Sequence, residues 1–142
     1  MQSRKATKIL VWVLLAIVLG QSGYIYLSSP SQPTPSHLLN VTPLGETGAV
    51  YEMLYDSGGA TVPFVYRYFL MERGKSESEA LEFARKNTPV LVTKSPNAVQ
   101  GVSSDRVHFV TTDTVYKFIS VGYYQSGEGE NIVKLELSSS MP

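Results

Sequence analysis

The chain offers few ligands for a metal ion and few nucleophiles. It contains no Cys and only two His, His37 and His108, so thiolate ligands, disulfides and Cys nucleophiles are excluded. Neither His belongs to a His-x-His or His-Glu-x-x-His motif. A zinc site needs three or four protein ligands, and no cluster in the sequence supplies them. We therefore expect no metal and no other cofactor.

The carboxylates and serines also lack catalytic spacing. A glycosidase needs two carboxylates roughly 5–9 Å apart across a cleft. Glu52 and Asp56 instead share one predicted strand and turn, and Asp105 and Asp113 lie in predicted turns. The Gly-x-Ser-x-Gly and phosphate-binding glycine motifs do not occur. The sequence predicts a protein that is not an enzyme.

Tyrosine is the residue type that suggests a function. The candidate partner-binding residues are Tyr51, Tyr55, Tyr66, Tyr68, Tyr123 and Tyr124. Tyr side chains are common anchors of protein interfaces. Period-2 alternation predicts that the first four are neighbours on one sheet face, with Arg67 on the opposite face. The alternative is that these rings pack the core and its rim while their hydroxyls reach water.

Strands are predicted wherever the sequence alternates or is rich in β-branched and aromatic residues. The strongest signal is a hairpin, because strands at 47–56 and 60–71 flank a turn at 56–59 that contains two Gly. Further strands are predicted at 90–93, 106–111, 115–121 and 132–137. These strands must position the tyrosines.

One helix is predicted between the hairpin and the later strands. Ser76 and Glu79 match a capping box, and basic residues occupy the last turn. Asn87 is suited to a left-handed cap, and Pro89 prevents continuation. A helix this short requires tertiary packing, so we expect Leu81 and Ala84 to contact the sheet.

Residues 9–27 predict a transmembrane helix. Nineteen residues give about 28 Å of helix, close to the roughly 30 Å hydrocarbon core. Trp12 lies near one end, and Tyr24 and Tyr26 lie near the other, as expected of interfacial anchors. The alternative is a signal peptide, because 20–22 form a small-x-small cleavage pattern before Gly23.

Charge predicts the orientation and excludes some partners. Arg4, Lys5 and Lys8 precede the span, and the next cation is Arg67. The positive-inside rule places the N-terminus in the cytoplasm. The exported part carries 9 Lys and Arg against 12 Asp and Glu, so its net charge is 9 − 12 = −3. An acidic domain without a basic run is not expected to bind nucleic acid.

The predicted fold class is α+β: a transmembrane helix, then an antiparallel sheet of about five or six strands with one packed helix. The predicted segments are a cytoplasmic basic segment at 1–8, the transmembrane helix at 9–27, a Ser/Pro-rich tether at 28–40 and an exported β-rich domain at 41–142.

The hairpin segment carries a resemblance. At 56–61 (DSGGAT), followed by Phe64-Val65-Tyr66, the chain resembles small exported or membrane-tethered bacterial proteins of uncharacterised function. It departs from them at Val62, where a second Thr is usual. The layout of anchor, tether and domain is also similar to that of membrane-anchored periplasmic immunity proteins. The resemblance implies a bacterial envelope protein and assigns no catalytic residue.

We therefore expect a single-pass protein of the inner membrane whose periplasmic domain binds another envelope protein. The first hypothesis is an immunity or inhibitor protein that neutralises a toxin or hydrolase. The alternative is a bitopic subunit of a secretion, conjugation or division complex.

Overall fold

The structure is a computed structural model that describes residues 2–28, 33–56, 58–127 and 129–140. The chain divides into two compact units, Met1–Gln32 and Pro33–Pro142. The first unit contains one helix, and the second contains nine strands and one helix among its described residues. Residues 29–32 of the predicted tether lie outside the described part of the chain.

The first unit is the helix α1, Gln2–Leu27, whose 26 residues give a length of about 39 Å. The segment Ser3–Leu27 is long and apolar enough to cross a membrane. The mean hydropathy of its most apolar 18 residues is 1.9. The helix begins before the predicted span at residue 9, because helical hydrogen bonds are local and continue through the basic segment.

The second unit contains these elements in chain order: β1 (His37–Leu44), β2 (Gly48–Tyr55), β3 (Val65–Glu72), α2 (Glu77–Lys86), β4 (Leu91–Thr93), β5 (Val99–Val102), β6 (Arg106–Thr111), β7 (Val115–Phe118), β8 (Val121–Ser126) and β9 (Gly129–Ser139). The first sheet has five strands in the order β1-β2-β3-β4-β7, all antiparallel. The second has four, in the order β5-β6-β9-β8. The predicted α+β class with an antiparallel sheet is confirmed, and the second sheet, which contains the parallel pair β6–β9, adds to it.

Three strands, β1, β5 and β8, were not predicted, since the strand predicted at 115–121 covers β7 and only the first residue of β8. β1 begins at His37, inside the segment assigned to the tether, and most of its side chains are exposed, so it shows no apolar alternation. β5 is short and contains Gly101. The predicted strand 115–121 is interrupted where the chain passes between sheets: Ile119 N–H donates to Val90 O (3.0 Å), whereas Ser120 O accepts from Leu135 N–H (2.8 Å).

The hairpin of β2 and β3 is confirmed, but its predicted tyrosine face is wrong. Tyr51 lies opposite Phe69, whereas Tyr68 lies opposite Glu52. Directly paired residues share a face, so odd-numbered side chains of both strands lie on one face and even-numbered ones on the other. Tyr51 and Tyr55 are therefore on the opposite face from Tyr66 and Tyr68. Alternation gives each strand's own period, but only the register fixes the phase between two strands.

The turn of this hairpin forms as expected where it is described. Asp56 Oδ1 accepts a hydrogen bond from Gly58 N–H at 2.8 Å, and Gly58 has a positive φ of 72°, which Gly adopts without steric cost. Ser57 lies outside the described residues. β3 begins only at Val65, since the predicted start at 60–64 contains Pro63, which has no N–H to donate to the ladder.

The two faces of the first sheet have different covers. Its inner face packs against the second sheet: Val50, Tyr68 and Leu70 belong to one buried cluster with Val107, Phe109, Val133 and Leu135. Its outer face packs against α2: Tyr51, Met53, Phe69 and Met71 cluster with Ala80 and Ala84. The first sheet is therefore the middle layer of three.

Helix α2 forms the predicted capping box. Ser76 Oγ accepts from Glu79 N–H (3.3 Å), and Glu79 Oε2 accepts from Ser76 N–H (2.8 Å). Ala80 and Ala84 are buried, and Leu81 is partly buried against the same cluster. The prediction of a left-handed cap is wrong, because Asn87 is extended (φ −121°) and its backbone and side-chain nitrogens both donate to Phe83 O.

Candidate protein-binding groove

Four of the six predicted partner-binding tyrosines are buried. Tyr51, Tyr55, Tyr68 and Tyr124 are each at most 6% exposed, so their rings belong to the core and not to an accessible surface. Tyr66 is partly buried against the inner cluster. Tyr123 is 65% exposed. The structure thus leaves Tyr123 as the accessible member of the predicted set.

Tyr68 organises a buried polar network between the two sheets. Its hydroxyl lies 3.0 Å from Glu52 Oε1 and 3.1 Å from Ser95 O, and it accepts from Ala98 N–H at 3.0 Å. Glu52, only 3% exposed, also accepts from Asn97 N–H at 2.8 Å. Burial raises the pKa of the Tyr68 hydroxyl, and the adjacent Glu52 carboxylate adds to this rise. The network fixes the loop 95–98 against the first sheet.

Two other buried tyrosines stabilise the layer that contains α2. The Tyr51 hydroxyl donates to Glu72 O (3.0 Å) and accepts from Lys75 N–H (3.2 Å), so it holds the connection between β3 and α2. The guanidinium carbon of Arg67 lies 4.1 Å from the centre of the Tyr55 ring. Burial raises the pKa of Tyr55, and the nearby Arg67 opposes this rise.

Tyr124 joins the second sheet to the first. Its hydroxyl lies 3.1 Å from Thr47 Oγ1. A Cβ at Gly48 would lie 2.5 Å from Cζ of the Tyr124 ring, so this close approach requires Gly at position 48. Tyr124 therefore has a structural role that depends on a residue more than 70 positions away.

The other residues weighed for chemistry have local partners. His108 Nε2 lies 2.8 Å from Ser138 Oγ on the neighbouring strand. Asp113 Oδ1 accepts from Thr114 N–H at 2.6 Å, which lowers the pKa of Asp113. Within residues 2–28, 33–56, 58–127 and 129–140, no three His, Asp or Glu side chains are grouped to hold a metal ion.

A groove runs between α2 and β8. It contains two adjacent cavities of about 610 Å³ and about 270 Å³, both lined by Leu70, Phe83 and Tyr123. The larger cavity lies beside residues 123–125 of β8, and the smaller lies beside residues 121–123. Leu70 forms part of the floor, whereas Phe83 and Tyr123 come from opposite walls. We call this the α2–β8 groove.

Apolar side chains border this groove and remain accessible. Phe83 is 37% exposed, Val121 is 56% exposed and Tyr123 is 65% exposed. Ile132, which pairs with Tyr123 across the ladder but lines neither cavity, is 68% exposed. Phe83 also contacts the core, since its ring meets Phe69 edge-on at 6.5 Å. A half-buried aromatic beside exposed aliphatic residues is typical of a binding surface.

The charged residues of the groove are mostly paired with each other. Lys75 pairs with Glu72 at 3.3 Å, and Lys86 pairs with Glu82 at 2.6 Å. Glu79 also lines the larger cavity, and hydrogen bonds from the Ser76 backbone and side chain lower its pKa. Three carboxylates and two ammonium groups thus give the rim a net negative charge.

Sequence reasoning placed Phe83 on the apolar side of a helix but did not identify it as a groove residue. It included Tyr123 in the predicted set. Val121 was assigned to the end of a strand without a site role. Comparison of the chain with protein-family models, curated proteins and solved structures found no match, so the groove is interpreted from its own geometry.

Proposed function

We propose that this chain is a single-pass membrane protein whose exported domain binds another protein through the α2–β8 groove. The observation that carries the proposal is the pairing of accessible Phe83 and Tyr123 on opposite walls of one groove. Aromatic residues at a partly desolvated cleft are the usual energetic centres of protein interfaces.

The proposed topology places the N-terminus in the cytoplasm, the helix in the inner membrane and the domain in the periplasm. It is supported by the cations Arg4, Lys5 and Lys8 at the start of α1 and by the apolar segment that follows them. Trp12 lies near one end of that segment and Tyr24 and Tyr26 near the other, as interfacial anchors do.

The proposed role is that of an immunity or inhibitor protein that neutralises a toxin or hydrolase in the envelope. Such a protein acts by occupying its target, so it needs a binding surface and no catalytic group. A membrane anchor restricts the domain to the region beside the bilayer and raises its effective concentration against a partner that arrives there.

A site-specific photo-crosslinker tests the groove. The full-length protein would carry a photoreactive amino acid at Tyr123 or, as a matched control, at Tyr116, an exposed Tyr of β7 (54% exposed) outside the groove lining. We expect a discrete crosslinked protein in cell envelopes from position 123 and none from position 116. Equal crosslinking at both positions would contradict a groove-specific interface.

A toxin challenge tests the role. Cells without the gene would be exposed to the product of a neighbouring toxin gene. The full-length protein should protect them, whereas the domain from Ser36 onward, expressed without export, should not. Protection by the unexported domain would refute the periplasmic mechanism. Loss of secretion, conjugation or division without any toxin sensitivity would instead favour an assembly subunit.

A further inference from the structure

The free edge of β8 borders the α2–β8 groove. β8 is the last strand of the second sheet and pairs only with β9 in the described part of the chain. One hydrogen bond shows which pairs of the β8–β9 ladder are hydrogen-bonded: Leu135 N–H donates to Ser120 O. Residues 120 and 135 continue the register in which Gly122 lies opposite Val133, and hydrogen-bonded pairs recur at every second residue of an antiparallel ladder. Even-numbered residues of β8 therefore bond β9.

The odd-numbered residues of β8 consequently direct their backbone groups away from β9. Val121, Tyr123 and Gln125 present N–H and C=O groups along the free edge, and the same three residues line the groove cavities. Exposed strand edges of this kind are templates for pairing with another extended chain.

The two cavities match the geometry of an added strand. The smaller lies beside 121–123 and the larger beside 123–125, so they are displaced by two residues along β8. Side chains two positions apart in a strand lie on the same face, roughly 6.5–7 Å apart. Two side chains two positions apart on a strand beside β8 would therefore enter the two cavities, one in each.

We propose that the groove takes an extended segment of the partner protein, which pairs with the free edge of β8 and extends the second sheet. This inference rests on the proposed protein-binding function and specifies its mode. The segment carries two large apolar side chains two positions apart, which enter the cavities lined by Leu70 and Phe83.

The net negative charge of the groove rim predicts a basic residue in the partner's segment. Lys75 and Lys86 are already in ion pairs with Glu72 and Glu82. Glu79, which lines the larger cavity, remains charged because Ser76 stabilises its carboxylate. A Lys or Arg of the partner next to the apolar pair would therefore meet net negative charge.

The probe is a display library of random ten-residue peptides, selected on the full-length protein in nanodiscs. We expect enriched peptides with apolar residues at i and i+2 and a neighbouring Lys or Arg. Selection of no peptide, or of peptides without this pattern, would overturn the proposal.

Gln125→Pro tests backbone pairing on the protein side. Pro removes the N–H at a free-edge position, where the β9 ladder does not use it. We expect affinity for a selected peptide to fall up to about tenfold, the effect of losing one hydrogen bond in an edge pairing. Gln125→Ala removes the same side chain but keeps the N–H, so it is the matched control for the loss of the Gln side chain. Equal effects of the two substitutions would contradict strand pairing.

Glu79→Gln tests the charge preference, since Gln retains the capping-box hydrogen bonds. We expect about two- to fivefold weaker binding of basic peptides, with less effect at high salt. A salt-independent result would remove the basic residue from the proposal.

Two further outcomes separate this inference from the proposed function. If the Gln125→Pro variant with the photoreactive residue at position 123 crosslinks the same partner as strongly as the protein with Gln125, the groove binds a partner, but not by strand addition. If the edge instead pairs with β8 of a second copy, the full-length protein will be a dimer that Gln125→Pro converts to a monomer, and this result would also overturn the proposal.

Discussion

Tyr68 and Tyr123 lie in two regions with different physical character. Tyr68 is fully buried between the sheets, where its ring meets Phe109 edge-on at 5.5 Å and its hydroxyl is fully used. Tyr123 is 65% exposed on the wall of the α2–β8 groove. The same residue type therefore stabilises the fold at one position and remains accessible for binding at the other.

The difference follows from where the two side chains lie in the layers. Tyr68 lies on the inner face of the first sheet. A complete second sheet packs on the inner face, so polar groups there must find protein partners. Tyr123 instead alternates along β8 with the buried Gly122 and Tyr124, so its side chain lies on the side of the second sheet away from that core. We expect substitutions in the first region to change stability and those in the second to change binding.

The largest effect is expected from Phe109→Ala. Phe109 is completely buried and contacts Tyr68, so the substitution should cost about 3–5 kcal/mol of unfolding free energy. Denaturant unfolding followed by circular dichroism measures this loss. A loss below about 1 kcal/mol would mean that the two sheets are not packed as described.

Tyr68→Phe should have the second largest effect. It removes a hydroxyl that lies beside Glu52 and accepts from Ala98 N–H, leaving both groups without that partner at a cost of roughly 2–3 kcal/mol. Tyr51→Phe is a matched control, because its hydroxyl bonds backbone groups that are only part-buried. A smaller loss for Tyr68→Phe than for Tyr51→Phe would contradict the importance of the buried network.

Alkaline pH should lower the unfolding free energy of the wild-type protein more than that of Tyr68→Phe. An unfolded Tyr loses its proton near pH 10, whereas the raised pKa of folded Tyr68 keeps its proton bound. Above pH 10 the native state therefore binds more protons than the unfolded state, and stability falls as pH rises. Unfolding free energies at a series of pH values should show a steeper decline for wild type than for Tyr68→Phe, with parallel curves counting against this linkage.

Ser76→Ala should cost about 1 kcal/mol through loss of the cap of α2. Ser78→Ala is the matched control, because it removes a hydroxyl 3.1 Å from Ser76 Oγ but leaves the bond from Glu79 N–H to Ser76 Oγ in place. Thermal unfolding of both variants gives the comparison. Equal melting temperatures would show that α2 is held by its packing and not by its cap.

The smallest stability effect is expected from Tyr123→Ala, within about 0.5 kcal/mol of wild type, because surface substitutions rarely change stability more. Its effect should appear instead as loss of peptide or partner binding. A variant that bound normally would place the binding surface elsewhere.

Local interactions explain what the sequence determined. The capping box of α2, the Asp56 turn and the long apolar helix depend on residues within a few positions of each other, so their patterns predicted them. The same is true of the opposite placement of Arg67 and Tyr66, since neighbouring residues in a strand always lie on opposite faces. The α+β class followed from these elements.

Long-range packing decided the rest. Register placed Tyr51 and Tyr68 on opposite faces of the first sheet, and packing against Gly48 of the first sheet buried Tyr124. The groove exists because α2 and β8, distant in sequence, border the same end of β3. Strand alternation carries no information about which strands meet or in what phase, so the accessibility of each tyrosine was set only when the three layers packed.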